Sequence, residues 1–420
     1  SRNLREHCLR RRRFRVAFAM GCCSSSGART QPEVGGVRRR LSVGSVDGKE
    51  KTGNSNEDRG LVSSLREQSI MDLLEDQGDL VTGRKMSVSS NTDEARESFK
   101  NKTMQELGDK IKPESEGLGF TCRKGLKPES PNQDSYFIFR MDKYSIYGVF
   151  DGHGQKGHDV SQFVKEALPK LIVKHSCKKT SATRAEIEAM FMEVFNKTQN
   201  LIIMADKMRK ISARMSGTTA TVCLHDMEQH KIWVAHVADS TCVLGRRNGE
   251  GIQITRDHKP ELKEEKSRIE KSGGRVVFDG YANHRVYAKN SRYPGLNMSR
   301  CMGDLLGHEE CGILCEPEIY ERTIESDDQV LLLCSDGVWE FISPSEAVGL
   351  VAPYDRKKGM QAAEHLAREA WDRWMDQEGG AVVDDITVLL VHLQGHQGQS
   401  AQEGDEEQEN GPPTVTVSAG

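Results

Sequence analysis

The sequence predicts an α+β domain of mainly antiparallel β-sheets with helices packed outside, preceded by a disordered N-terminal extension. Three observations lead there. β-rich runs follow one another through short polar links, as in "DSYFIF", "RMDK" and "YSIYGVF", which read together as a hairpin. Longer stretches, "GHDVSQFVKEALPKLIVKH" and "ATRAEIEAMFMEVFNKTQNLIIMAD", space their apolar residues at helical intervals. Strands joined by hairpins give antiparallel sheets, and amphipathic helices then cover them.

In chain order, residues 1 to about 110 are rich in Ser, Gly, Arg and Glu and poor in aromatics. Such a segment buries too little apolar area to offset its ordering entropy, so disorder is expected. Within it, "LVSSLREQSIMDLLEDQ" (61–77) puts Leu61, Leu65, Ile70, Leu73 and Leu74 on one stripe of a short helix, read as local rather than as a docking element. The folded domain is expected over 115–393. There "TTATVCLHD", "KIWVAHVAD" and "CVLGRR" read as strands, and "ELKEEKSRIEKSGG" as a helix stopped at Gly273-Gly274. "QVLLLCSDG" reads as a buried strand, followed by two helical stretches and a last strand, "DITVLLVHL". Residues 394–420 read as an acidic disordered tail.

Bulk properties narrow the function classes. A net charge of −4 gives no reason to expect nucleic acid as a partner. Eleven cysteines, scattered without a CxxC pair, argue for reduced thiols inside a cell rather than a disulfide framework. No apolar run approaches the ~18 residues of a membrane span. A monomer is expected.

The acids at strand ends carry the chemistry. Asp134 opens a strand in "NQDSYF" and Asp151 ends one in "GVFDGHG". Asp239 ends another in "VAHVADST", and Asp336 a fourth in "LLLCSDGVWE", with Glu340 four residues on. Asp384 and Asp385 open the last strand. A lone acid at a strand end is usually a turn or cap residue. Repeated beside apolar strands, such acids cost too much desolvation unless they are paired or bind metal. All-oxygen donors without Cys or His clusters favour a hard cation, Mg²⁺ or Mn²⁺. Other motifs fail: "DGHGQKGHDVSQ" lacks EF-hand spacing, "DGHGQKGH" lacks a second zinc-ligand pair, and "GLGFTCRKG" lacks the P-loop ending. Cys23 and Arg29 match the bare Cys-x5-Arg spacing of thiol phosphatases, but no strand precedes them.

From about Gly119 to Leu393 the chain resembles the metal-dependent protein serine/threonine phosphatases of type 2C. The resemblance rests on "NQDSYF", "YGVFDGHG", "SGTTATV", "VADS", "TRDHKPELKEEKSRIEKSGGRV", "LNMSRCMGD", "LLLCSDGVWE" and "DDITVLLV", in the family's order. It implies a sandwich of two antiparallel sheets flanked by helices, with metals at one end. It also implies hydrolysis of phosphoserine and phosphothreonine in proteins by a water activated between two divalent cations. By that resemblance Asp151 bridges two metals, the Gly152 carbonyl binds one, and Asp336 and Asp384 complete the ligands. Asp134 acts as an acid at the cluster. Asp239, with Glu340 near it, serves a third, weaker ion, and Asp304 supports the site. His153 is the candidate general acid for the leaving alkoxide.

The sequence departs from the family at three places. The acidic pair that is commonly Glu-Asp is Gln133-Asp134. The usual phosphate-binding arginine is missing; Lys127 is its best substitute and Arg123 the runner-up. The family's Asp-Asn is here Asp384-Asp385, and alternation along a strand lets only one neighbour face the metals. The alternative reading is a weak or inactive member that serves as a phosphoprotein-binding scaffold.

The extension carries regulatory motifs. "RRRLSVGSV" and "GRKMSVSS" resemble sites for a basophilic kinase, with Ser42 and Ser87 as acceptors. Met20-Gly21-Cys22-Cys23-Ser24-Ser25 fits N-myristoylation of Gly21 if Met20 is the initiator, with residues 1–19 as translated leader. Palmitoylation of Cys22 and Cys23 would supply the second signal needed for a stable anchor. The expected location is then cytoplasmic, attached to the cytoplasmic face of a membrane.

Overall fold

The computed structural model describes residues 55–75, 83–91, 97–127, 131–177, 179–280 and 282–393. The strands are β1 (Lys85–Ser90), β2 (Met104–Gly108), β3 (Leu118–Arg123), β4 (Ser135–Met141), β5 (Tyr144–Phe150), β6 (Gly152–Gly154), β7 (Ser216–Thr218), β8 (Ala220–Asp226) and β9 (Lys231–Val237). Then follow β10 (Thr241–Arg246), β11 (Gly251–Gln253), β12 (Gly274–Phe278), β13 (His284–Ala288), β14 (Pro294–Leu296), β15 (Met302–Gly303), β16 (Glu318–Thr323), β17 (Asp328–Cys334) and β18 (Ile386–His392). A seven-stranded sheet runs β16-β9-β8-β5-β4-β1-β2, and a five-stranded sheet runs β11-β10-β17-β18-β3. Two three-stranded sheets, β12-β13-β14 and β15-β7-β6, complete the set. The neighbouring strands pair antiparallel, as the hairpin reading expects.

Both faces of each large sheet are covered, so alternate residues enter different cores. Tyr136 and Ile138 of β4 meet Leu331, Leu333 and Leu389 in the core that both sheets share. Phe137 and Phe139 point the other way, under the helices Gly157–Lys174 and Arg184–Lys207. Val330, Leu332 and Leu390 of the five-stranded sheet are covered by Leu366 and Ala367 of the helix Gly359–Gln377. This double cover explains near-continuous apolar runs such as "QVLLLC".

The expectation of disorder up to residue 110 is overturned for a large part of that segment. Residues 61–77 contain not one local helix but parts of two, Ser55–Glu67 and Ile70–Glu75. Between them Ser69 and Asp72 exchange side-chain-to-backbone hydrogen bonds of 2.7 and 3.2 Å, a local start signal for the second helix. Val62, Leu65, Ile70 and Leu74 join the core under the long helices, so the pair docks. β1 is an interior strand between β2 and β4. Its Met86 and Val88 face the shared core, while Ser90 Oγ accepts the Tyr136 N–H at 3.0 Å. Ser87 is therefore buried in a sheet, at 3% exposure, and is not available to a kinase in this fold. Gly21, Cys22, Cys23, Ser42 and the tail 394–420 lie outside the described residues. The eight cysteines among the described residues are free thiols. No helix among those residues is long and apolar enough to cross a membrane.

Candidate active site

The seven-stranded sheet supplies Asp134, one residue before β4, and Asp151, one residue after β5. The five-stranded sheet supplies Asp336, two residues after β17, and Asp384, two residues before β18. Side chains tie these ends together. Ser335 Oγ and Thr387 Oγ1 donate to Asp134 Oδ2 at 2.8 and 2.7 Å, fixing that acid between the sheets. The buried Lys102 ammonium donates to the Asp134 main-chain carbonyl. Gly152 is required by close approach: a Cβ there would lie 2.6 Å from the Gln133 carbonyl oxygen and from the Gly157 backbone.

The acids repel one another. Burial first, then the charges of Asp134, Asp336 and Asp384, push Asp151 well above the carboxylate range. Burial, with Asp384 and Asp239, pushes Asp336 up to about 8. Burial and Asp385 push Asp134 up to about 6 against its two hydroxyl donors. Asp134 Oδ1 and Asp336 Oδ1 are buried without a hydrogen-bond partner. Buried orphan oxygens in an all-oxygen cluster fit divalent magnesium or manganese.

Neighbours in sequence part company here. Asp384 Oδ1 accepts from the Lys127 ammonium at the cluster. Asp385 is 1% exposed, and its two oxygens accept the Gly125 and Gln133 N–H groups at 2.8 and 2.7 Å. It clamps the loop that carries Lys127. Burial disfavours the charged form of Lys127, but Asp384, Asp385 and Asp151 outweigh that and keep it protonated.

Asp239 accepts from Lys259 Nζ at 2.6 Å, and Glu340 is exposed. Arg123, the second candidate for the substrate phosphate, is corrected by its partners. Its Nε donates to Glu364 Oε2 at 3.1 Å, Nη2 donates to the same oxygen, and Nη1 donates to the Phe99 carbonyl. The fork is fully used on the helix Gly359–Gln377 and on the segment before β3.

His153 lies in β6, and its Nε2 is 2.5 Å from Asp304 Oδ2. Burial lowers its proton affinity, but the Asp304 carboxylate more than compensates and holds it above the usual value. Its Nδ1 is shielded and without a partner. Sequence reasoning left Asp304 unplaced and missed Ser335, Thr387, Lys259 and Lys102. Ser335 and Thr387 flank motif acids and could have been noticed. Lys102 carried no signal, because its segment read as disordered.

Solved structures share this sandwich. A serine-threonine phosphatase 2C from Toxoplasma gondii superposes with a TM-score of 0.56 at 19% identity, covering 66% of this chain and 94% of that one. A C. elegans sex determining protein gives 0.55 at 23% identity, over 66% and 65% of the two chains. These likenesses show the fold class alone, an α+β sandwich of antiparallel sheets flanked by helices. The family model for protein phosphatase 2C matches residues 129–377, more than half of the chain, and the chain belongs to that family. Among similar proteins, probable protein phosphatase 2C 73 of Arabidopsis thaliana is 32% identical over 62% of this chain and 75% of its own. Probable protein phosphatase 2C 61 of the same plant is 33% identical over 62% and 80%. The chain is accordingly a member of the protein phosphatase 2C family, which depends on metal, generally magnesium or manganese.

Proposed function

We propose that the protein is catalytically competent and hydrolyses phosphoserine and phosphothreonine in phosphoproteins, rather than serving as an inactive scaffold. The observation that carries this is the half-buried carboxylate cluster, in which Asp134 Oδ1 and Asp336 Oδ1 are shielded from solvent and have no hydrogen-bond partner. An inactive scaffold has no need of so costly a group of acids. Two divalent cations held by Asp151, the Gly152 carbonyl, Asp336 and Asp384, with Asp134 beside them, would neutralise the phosphomonoester and activate the attacking water between them. Asp239 and Glu340 would serve a third, weaker ion.

The remaining work falls to the chain's own groups. Lys127 reaches the cluster as a point charge suited to the substrate phosphate, in place of a bidentate fork. Asp385 positions its loop through Gly125 and Gln133. Asp304 holds the His153 ring by Nε2 and keeps it protonated, and His153 would give a proton to the serine or threonine alkoxide. His153→Ala should therefore slow phosphoserine peptides far more than p-nitrophenyl phosphate, whose leaving group needs little protonation. Equal losses on both substrates would exclude that role. The overall reading is tested by stripping the protein with EDTA and assaying a phosphothreonine peptide before and after adding Mn²⁺. Restored turnover supports it; full activity in the stripped protein, or none after reloading, refutes it.

The sequence motifs also support a regulated anchor. With Met20 as the initiator, acylated Gly21, Cys22 and Cys23 would hold the enzyme at a cytoplasmic membrane face, and a basophilic kinase acting on Ser42 would weaken the hold of the adjacent arginines. Fractionation of cells expressing Gly21→Ala beside the parent tests this, since equal solubility of both rules the anchor out.

A further inference from the structure

The small sheet β6-β7-β15 brings together three side chains that differ in kind from the carboxylate cluster. His153 of β6 pairs across β7 with Gly217, and Gly217 pairs with Gly303 of β15, next to Asp304. The two side chains meet because Gly217 has none: a Cβ there would lie 2.0 Å from Asp304 Oδ2 and 2.8 Å from His153 Nε2. Asp304 takes a left-handed backbone, φ 40°, which is strained for a residue with a side chain and is held by its N–H donating to the Ser216 carbonyl at 3.0 Å. Cys301 completes the group, with Sγ 3.2 Å from the same Asp304 oxygen. The imidazole nitrogen, thiol sulfur and carboxylate oxygen all lie within 4.8 Å of one another.

We propose that His153 Nε2, Cys301 Sγ and Asp304 Oδ2 form a second metal site, selective for zinc over the hard cations, whose occupation withdraws His153 from the reaction. Nitrogen, thiolate and carboxylate together are a zinc donor set, whereas magnesium and manganese prefer oxygen alone. Zinc takes these donors at about 2.0–2.3 Å, which sets them about 3.3–3.7 Å apart in a tetrahedron, so the His153–Asp304 pair at 2.5 Å needs to open by about 1 Å, while the Cys301–Asp304 pair at 3.2 Å is already near that spacing. The His153 side chain is 20% exposed while that of Asp304 is 2%, so the ion enters past the imidazole and keeps an open position there. On binding, the Cys301 thiol proton and the Nε2 proton leave to solvent, Nε2 gives up its hydrogen bond to Asp304, and the ring keeps one proton on Nδ1. No electron transfer is involved. Inhibition rests on His153 being the general acid; binding does not.

The test uses the full chain in excess Mn²⁺, titrated with Co²⁺ as a spectroscopic stand-in and then with Zn²⁺. A cobalt–thiolate charge-transfer band that zinc abolishes is expected. It should be lost in Cys301→Ser and in His153→Gln, and kept when Cys22 and Cys23 are both changed to Ser. His153→Gln serves if Cys301→Ser does not fold, as judged by circular dichroism. Zinc inhibition of phosphopeptide turnover should weaken by at least ~10-fold in Cys301→Ser. The proposal is overturned by the absence of the band in the parent protein, or by a band of parent intensity in either ligand variant. It is equally overturned if zinc inhibits both proteins alike and added Mn²⁺ relieves it, which would place the zinc in the carboxylate cluster. A cobalt band without zinc inhibition leaves the site standing and counts against His153 as the acid.

Discussion

Two groups of desolvated carboxylates in this molecule, one fully buried and one half-buried, have opposite electrostatics. Glu265, fully buried in the helix Lys263–Lys271, accepts from Arg268 Nη2 at 2.7 Å, Arg300 Nη2 at 2.7 Å and Ser299 Oγ at 2.5 Å. Burial alone would raise its pKa, but these donors overcome that and bring it to about 2. The acids at the sandwich end have less support: two neutral hydroxyls reach Asp134 and one ammonium, Lys127, reaches Asp384, and Asp134, Asp151 and Asp336 are all raised. Burial is common to both groups. The difference is that two guanidinium groups neutralise one acid at Glu265, while at the active site one ammonium, Lys127, faces several acids and leaves most of the counter-charge to come from outside. A paired buried acid is structure; an unpaired cluster of them marks a site.

The sharpest way to break this comparison is to remove one acid from each group. Asp336→Asn should lower phosphopeptide turnover by ~10³-fold or more. The metal-stripped protein should melt no lower than the parent, because a repulsion has been relieved. Retention of activity within about tenfold would mean that Asp336 is not part of the centre. Glu265→Ala should do the reverse, leaving Arg268 and Arg300 without their partner and costing about 3 kcal/mol in urea unfolding. An unchanged midpoint would show that this network is dispensable.

A pH series sharpens the contrast further. Asp134 and Asp336 titrate at about 6 and about 8 when folded, above the ordinary carboxylate value, so the folded chain holds the extra protons. Their contribution to stability is complete below about pH 4 and is lost as pH rises through 6 to 8. Glu265 has the opposite sign: its contribution is present above about pH 4 and lost as pH falls towards 2. In EDTA the melting temperature should fall between about pH 5.5 and 8.5, and saturating Mn²⁺ should flatten that slope. A flat profile in EDTA would contradict the unpaired cluster.

The smallest effect expected is at Lys102, whose ammonium supports the Asp134 carbonyl from outside the region that the family model matches. Lys102→Met should raise the Mn²⁺ concentration for half-maximal activity by ~10-fold while the domain stays folded. No change would show that the docked extension leaves the metal centre untouched.

Much of the site was legible before the fold was known. Acids at the ends of apolar strands, His153 beside Asp151, and glycine where backbones must approach are local features, visible within a few residues. The strands were legible for the same reason, since alternation and hairpin links are short-range. The segment 85–108 was misread because composition measures how much apolar area a segment has, not whether a partner is waiting for it. Met86 and Val88 suffice once β2 and β4 provide both edges.

The sequence by itself therefore determined the donor types, the strand ends that carry them and the sheet class. Tertiary structure alone decided which donors meet. It joined Asp134 and Asp151 of one sheet to Asp336 and Asp384 of the other, across separations of about 185 to 250 residues that no local pattern encodes. It diverted Arg123 to Glu364, because a guanidinium takes the nearest carboxylate that packing brings it. It turned Asp385 onto backbone N–H groups while Asp384 faced the cluster. It also set Cys301 and Asp304 against His153 across the bare Cα of Gly217, where the absence of one side chain lets three others meet.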